Sequence, residues 1–169
     1  KAYGTPAILI GHSLGGAAML ATAHRIADAR AVVTIAAPCD PAHVTSLFKE
    51  HVDKIREQGE VRLSLAGRLF RIKREFLDDI AEQRIRDCLA NLRKAWLVFH
   101  SPTDDIVSIE NASHIFTAAK HPKSFVSLAG ADHLLSKRGD AVYVGNVITA
   151  WAERYIERPA ERGDEQIEA

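Results

Sequence analysis

The feature that most constrains this chain is the stretch ILIGHSLGGAAML, Ile8 to Leu20. Ala7 to Ile10 is a short continuous apolar run, suited to a strand buried on both faces. It ends in Gly11-His12-Ser13-Leu14-Gly15-Gly16 and passes into a segment, Leu14 to about Ala29, that is apolar nearly all round and reads as a buried helix. Gly11 and Gly15 let neighbouring backbone segments pass where a Cβ would clash. So tight a bend strains Ser13 and exposes its hydroxyl. The following helix aims its N-terminus at that hydroxyl, where its dipole favours developing negative charge. The backbone N–H of Leu14 is then an oxyanion-hole donor. Strand, Gly-x-Ser-x-Gly, helix is the context a nucleophile elbow requires. A phosphate-binding role for the same glycines fails, because neither G-x-x-x-x-G-K-[ST] nor G-x-G-x-x-G is present.

Composition narrows the partners. The 169 residues are 47% apolar and 26% charged, with 22 Lys plus Arg against 22 Asp plus Glu. That is a globular balance with no charge excess, so neither nucleic acid nor an anionic membrane surface is expected as a partner. A small, weakly charged substrate is expected. No apolar run approaches the roughly 20 residues of a membrane helix. The two cysteines, Cys39 and Cys88, form no Cys-x-x-Cys and have no histidine at metal-ligand spacing. No disulfide framework, metal or cofactor is therefore expected, and a reducing, cytoplasmic setting is.

Strand-like and helix-like segments alternate. After the helix come a buried strand at Ala31–Ala36 and a helix capped by Asp40-Pro41, with Val44, Leu47, Phe48, Val52 and Ile55 on its apolar face. Val61, Leu63 and Leu65, then Phe70 and Ile72, alternate with polar residues and suggest a hairpin. A helix from about Glu75 to Arg93, a strand at Ala95–Phe99, a helix capped by Ser108, a strand at Ser124–Leu128 and a helix from about Asp140 to Glu157 complete the order. The class is α/β, a parallel sheet with helices on both faces. Residues 1–157 form the domain. The insert of about 40–93 is too long for a simple crossover and is expected as a cap or lid. Residues 158–169 read as a charged tail or linker.

A serine is a poor nucleophile without a histidine base that an acid orients. Two loops beyond strand ends supply these groups: His100-Ser101-Pro102-Thr103-Asp104-Asp105 and Gly130-Ala131-Asp132-His133. His133 is the expected base. His24, His43, His51 and His114 lie within helical segments, where surface positions are expected, and His121 lies on the wrong side of the fourth strand. His12 and His100 lie near the site and are expected to pack or hydrogen-bond. Loop geometry leaves Asp104 and Asp105 open as the acid. Asp132 adjoins the base and should point elsewhere.

Taken together, Gly11-His12-Ser13-Leu14-Gly15-Gly16, His100-Ser101-Pro102-Thr103-Asp104 and Gly130-Ala131-Asp132-His133 resemble the three catalytic blocks of the α/β-hydrolase superfamily, in order and over nearly the whole chain. The insert segments Ala66–Ile72 and Phe76-Leu77-Asp78-Asp79 resemble the hydrolase half of bacterial proteins that join such a domain to an OsmC-like domain. In the superfamily the acid falls four residues after the histidine of a strand-ending His-Gly or His-Ser pair, so the resemblance selects Asp104. It implies a serine hydrolase acting on esters, thioesters or related acyl substrates through Ser13, His133 and Asp104. It also implies that strands and helices which precede the elbow in the family, and the loop carrying a second oxyanion donor, fall outside this sequence, as does an OsmC-like partner domain. Ala7–Ile10 should then form an exposed apolar edge that invites pairing, a homo-oligomer included, and this chain alone should be weak or inactive. The competing reading is a non-catalytic binding or scaffold domain that keeps the elbow, or an inactive fragment of a larger fused enzyme. Dehalogenase-like chemistry would want a carboxylate where Ser13 stands.

Overall fold

A computed structural model of the chain describes residues 4–40, 45, 48–65, 68–82, 88–89 and 91–156. Four strands form a parallel sheet: β1 (Ile8–His12), β2 (Ala31–Ile35), β5 (Ala95–His100) and β6 (Lys123–Ser127), in the order β1-β2-β5-β6. The pairing runs Leu9 to Val32 to Trp96, and Ile10 to Val33 to Leu97. Side chains alternate across a strand, so these two rows face opposite ways.

Each face has its own core. On one, Leu9, Val32, Trp96 and Val98 pack with Ala17 and Leu20 of α1 (Leu14–Thr22) and Ala112 and Ile115 of α4 (Glu110–Ala118). On the other, Val33, Ile35, Leu97 and Phe99 pack with Val144 and, less deeply, Val147, Ile148 and Trp151 of α5 (Arg138–Ala152). Every residue of β2 and β5 is buried. That is why both read as largely apolar runs, each full burial of a large side chain being worth about 1.5–3 kcal/mol. The one polar side chain in β2, Thr34, accepts a hydrogen bond from Trp96 Nε1 at 3.1 Å.

Between β2 and β5 lie α2 (Val52–Gln58), an antiparallel hairpin of β3 (Glu60–Leu65) and β4 (Arg68–Lys73), and α3 (Arg74–Glu82). They share a separate apolar cluster of Phe48, Ile55, Leu63, Leu77 and Ile80. The helix expected from Asp40-Pro41 falls partly on residues 41–44 and 46–47, outside the described residues; 48–51 are 3-10 turns and α2 starts at Val52. The tail at 158–169 also lies outside the described residues.

Three expectations are corrected. The first helix does not reach Ala29: it ends at Thr22, and Ala23–Arg25 tighten into a 3-10 turn before Asp28 and the strand. Nor is it buried all round, since Ala18 is exposed. The helix expected to run to Arg93 stops short: Asn91 lies in a turn and Leu92 and Arg93 are not helical, Arg93 having a left-handed φ of 48°.

Strand β1 pairs with β2 alone among the described strands. The edge is less bare than expected, because Leu9 is buried and Ala7 and Ile8 half-buried; Ile10 is 52% exposed.

Candidate active site

The elbow is built by backbone contact. A Cβ on Gly11 would strike the Gly15 carbonyl group and stand 2.7 Å from the Gly16 Cα. A Cβ on Gly16 would lie 2.7 Å from the Ala37 Cβ. Gly15 was expected to need its missing side chain, but a Cβ there meets open space. The close approach is between Gly11 and the turn 15–16, and its second glycine is Gly16.

Ser13, between them, adopts φ 53° and ψ −128°. A non-glycine residue in such a conformation carries about 1–3 kcal/mol of strain. The strand ladder holds it there: the Ser13 N–H donates to the Ile35 carbonyl at 2.8 Å. Ser13 stands at the N-cap of α1, yet its side chain caps nothing. Its hydroxyl lies instead 3.0 Å from His133 Nε2. Leu14 opens α1, where the first N–H groups of a helix have no intrahelical acceptor.

Asp104 and His133 reach the same point from loops after β5 and β6. The Leu128 N–H donates to the His100 carbonyl at 2.9 Å, which joins the starts of the two loops. The buried Ser101 hydroxyl donates to the Ala131 carbonyl at 2.6 Å and accepts from the Thr103 N–H at 3.3 Å. His133 Nδ1 lies 2.8 Å from Asp104 Oδ2, with the two side chains 8% and 0% exposed. Asp104 Oδ1 accepts the N–H groups of Ile106 at 3.0 Å and Val107 at 2.9 Å. Burial pushes this carboxyl upward, but the Val107 N–H, the His133 ring and the Ile106 N–H outweigh it and hold Asp104 below the ordinary aspartate range. An ionised Asp104 can only accept, so Nδ1 carries the proton and Nε2 is left to accept from the Ser13 hydroxyl.

Ser13, His133 and Asp104 are therefore brought into one hydrogen-bonded chain. Asp105 is exposed. Asp132 points away, its Oδ1 accepting the Ser136 N–H at 2.9 Å. His12 and His100 do hydrogen-bond, as expected: His12 Nε2 lies 2.7 Å from the His133 carbonyl and His100 Nε2 lies 2.7 Å from that of Val107. His24, His114 and His121 are exposed and His51 half-buried, while His43 lies outside the described residues. Sequence reasoning missed Ser101, whose only signal is its place beside His100 at a strand end. Among the described residues no three His, Cys, Asp or Glu side chains are grouped to hold a metal ion, and no helix is long and apolar enough to cross a membrane.

The sequence profile of the alpha/beta hydrolase family matches residues 1–161. The chain belongs to that family. Among solved structures, this chain is similar to an esterase domain from a Rhodothermus marinus protein, with 50% identity and a TM-score of 0.77 over 90% of this chain and 62% of that one. It thus spans less than two thirds of that esterase domain. Mouse alpha/beta hydrolase domain-containing protein 10 shares the fold at 24% identity and a TM-score of 0.65, over 90% of this chain and 64% of that one. A Paleococcus ferrophilus monoacylglycerol lipase does so at 19% and 0.66, over 88% and 68%. No curated protein matches the sequence.

Proposed function

We propose that this hydrolase is a serine esterase, acting on carboxylic esters, thioesters or related acyl groups through Ser13, His133 and Asp104. The observation that carries the reading is the unbroken chain from the Ser13 hydroxyl to His133 Nε2 at 3.0 Å and from His133 Nδ1 to Asp104 at 2.8 Å. The half-identical Rhodothermus marinus esterase domain supports it.

Ser13 Oγ attacks the substrate carbonyl carbon as His133 Nε2 takes the hydroxyl proton. The carbonyl oxygen becomes an oxyanion, and the Leu14 N–H donates to it at the positive end of α1. His133 passes its proton to the leaving alcohol or thiol, and an acyl-Ser13 remains. Water then attacks that ester with His133 again as base, releasing the acid and restoring the serine. Asp104 stays ionised throughout, holds the Nδ1–H tautomer and stabilises the imidazolium. The insert between β2 and β5 is the element we assign to the acyl or alcohol pocket.

A fluorophosphonate should label Ser13, and p-nitrophenyl acetate should be turned over. Ser13→Ala should abolish labelling and reduce turnover to background. Labelling or turnover unchanged in Ser13→Ala would overturn the assignment in favour of a non-catalytic domain that keeps the elbow.

A further inference from the structure

His12 ends β1 and immediately precedes Ser13. Its Nε2 lies 2.7 Å from the main-chain carbonyl oxygen of His133, 121 residues away along the chain. Its ring stands beside the His133 ring, with centroids 5.0 Å apart and planes tilted by 49°. A carbonyl oxygen only accepts, so His12 donates through Nε2–H. The reaction described above uses neither contact.

Two hydrogen bonds thus tie the elbow to the loop that carries the base. One runs from the Ser13 hydroxyl to His133 Nε2; the other runs from His12 to the His133 carbonyl. They differ in when they exist. Once Ser13 is acylated, its Oγ carries no proton and cannot donate, so the first bond is lost. The second involves no reacting atom and persists.

We infer that His12 is a positioning residue for the deacylation half of the reaction, clamping His133 while the serine cannot. The inference rests on the catalytic reading above. In deacylation a water oxygen bonds to the acyl carbon as His133 Nε2 takes one of its protons. The C–Oγ bond then breaks, and Oγ recovers that proton from His133. The hydroxyl of the water leaves in the carboxylic acid. Throughout, the imidazole must hold a water rather than a tethered hydroxyl. A misplacement of about 1 Å can cost on the order of 100-fold in such a step. In acylation the Ser13 hydroxyl itself helps to orient His133, so loss of the clamp is felt less there.

The test uses His12→Phe, which keeps a flat ring and removes the donor, and His12→Gln, which returns an N–H near the position of Nε2. His12→Ala makes the same comparison if the phenyl ring is not accommodated. The p-nitrophenol burst reports acylation, and intact-mass decay of acetyl-Ser13 reports deacylation. His12→Phe should leave the burst rate within about threefold of wild type and slow deacetylation by about 10–100-fold, so that acetyl-enzyme accumulates. His12→Gln should recover most of the loss. A ratio of the two rates unchanged in His12→Phe, or no recovery in His12→Gln, overturns the inference: loosened packing alone would slow both steps together. If the wild type forms no acetyl-Ser13, the catalytic reading fails and this one with it, which is a different result from an unchanged ratio.

Discussion

Asp104 faces His133 with one carboxylate oxygen and its own loop with the other. Oδ2 lies 2.8 Å from His133 Nδ1, while Oδ1 takes the Ile106 and Val107 N–H groups. Asp104→Asn separates these duties. The amide oxygen can still serve the loop, so the fold should survive. The amide nitrogen then faces Nδ1 as a donor and pushes the ring proton to Nε2, where it blocks the serine. Turnover of p-nitrophenyl acetate should fall about 10⁴-fold, the magnitude known for the equivalent change in a serine protease, with circular dichroism unchanged.

The same carboxyl makes stability depend on pH. Its folded pKa is depressed, so its contribution is present above the unfolded value of about 3.9 and is lost as pH falls through the folded one. Urea denaturation of wild type and Asp104→Asn should therefore show a gap in unfolding free energy at pH 7 that narrows below about pH 4. A gap that widens with acid would contradict the assigned hydrogen bonds.

At the elbow, Gly15 and Gly16 should respond oppositely to the same substitution. Gly16→Ala forces a methyl against Ala37 and should destabilise by about 1–3 kcal/mol. Gly15→Ala meets open space within a helix and should be neutral or stabilise by up to about 1 kcal/mol. Thermal melts of the two variants decide it.

Ser101→Ala removes the donor to the Ala131 carbonyl and the acceptor for the Thr103 N–H. Leaving the carbonyl of the buried Ala131 unmet should cost about 1–3 kcal/mol of stability. Because Ala131 precedes His133 by two residues in the same loop, turnover should fall as well, though by less than in Asp104→Asn. Denaturation and kcat measured on the same sample test both parts.

The sequence was most legible where burial is symmetrical. β2 and β5 are covered on both faces, so apart from Thr34 and the terminal His100 their residues are apolar and their bounds read almost directly. Ser13 and His133 were legible because particular residue types stand in loops beyond strand ends, whereas only the family resemblance separated Asp104 from Asp105. Helix ends were not. The chain is out of the helix by Asn91 and turns left-handed at Arg93, which no side-chain pattern announces. Gly15 and Gly16 are alike in sequence, and only the position of Ala37, after another strand, tells them apart. Ser101 is an ordinary serine until the loop after β6 folds over it.

Ser13 and His133 are 120 residues apart along the chain and His133 and Asp104 are 29, and they meet because β1, β5 and β6 end at one edge of a sheet in which β2 joins β1 to β5. The reactivity of one hydroxyl is therefore a reporter on the whole sheet, and fluorophosphonate labelling should vanish along the same melting curve as the far-ultraviolet signal.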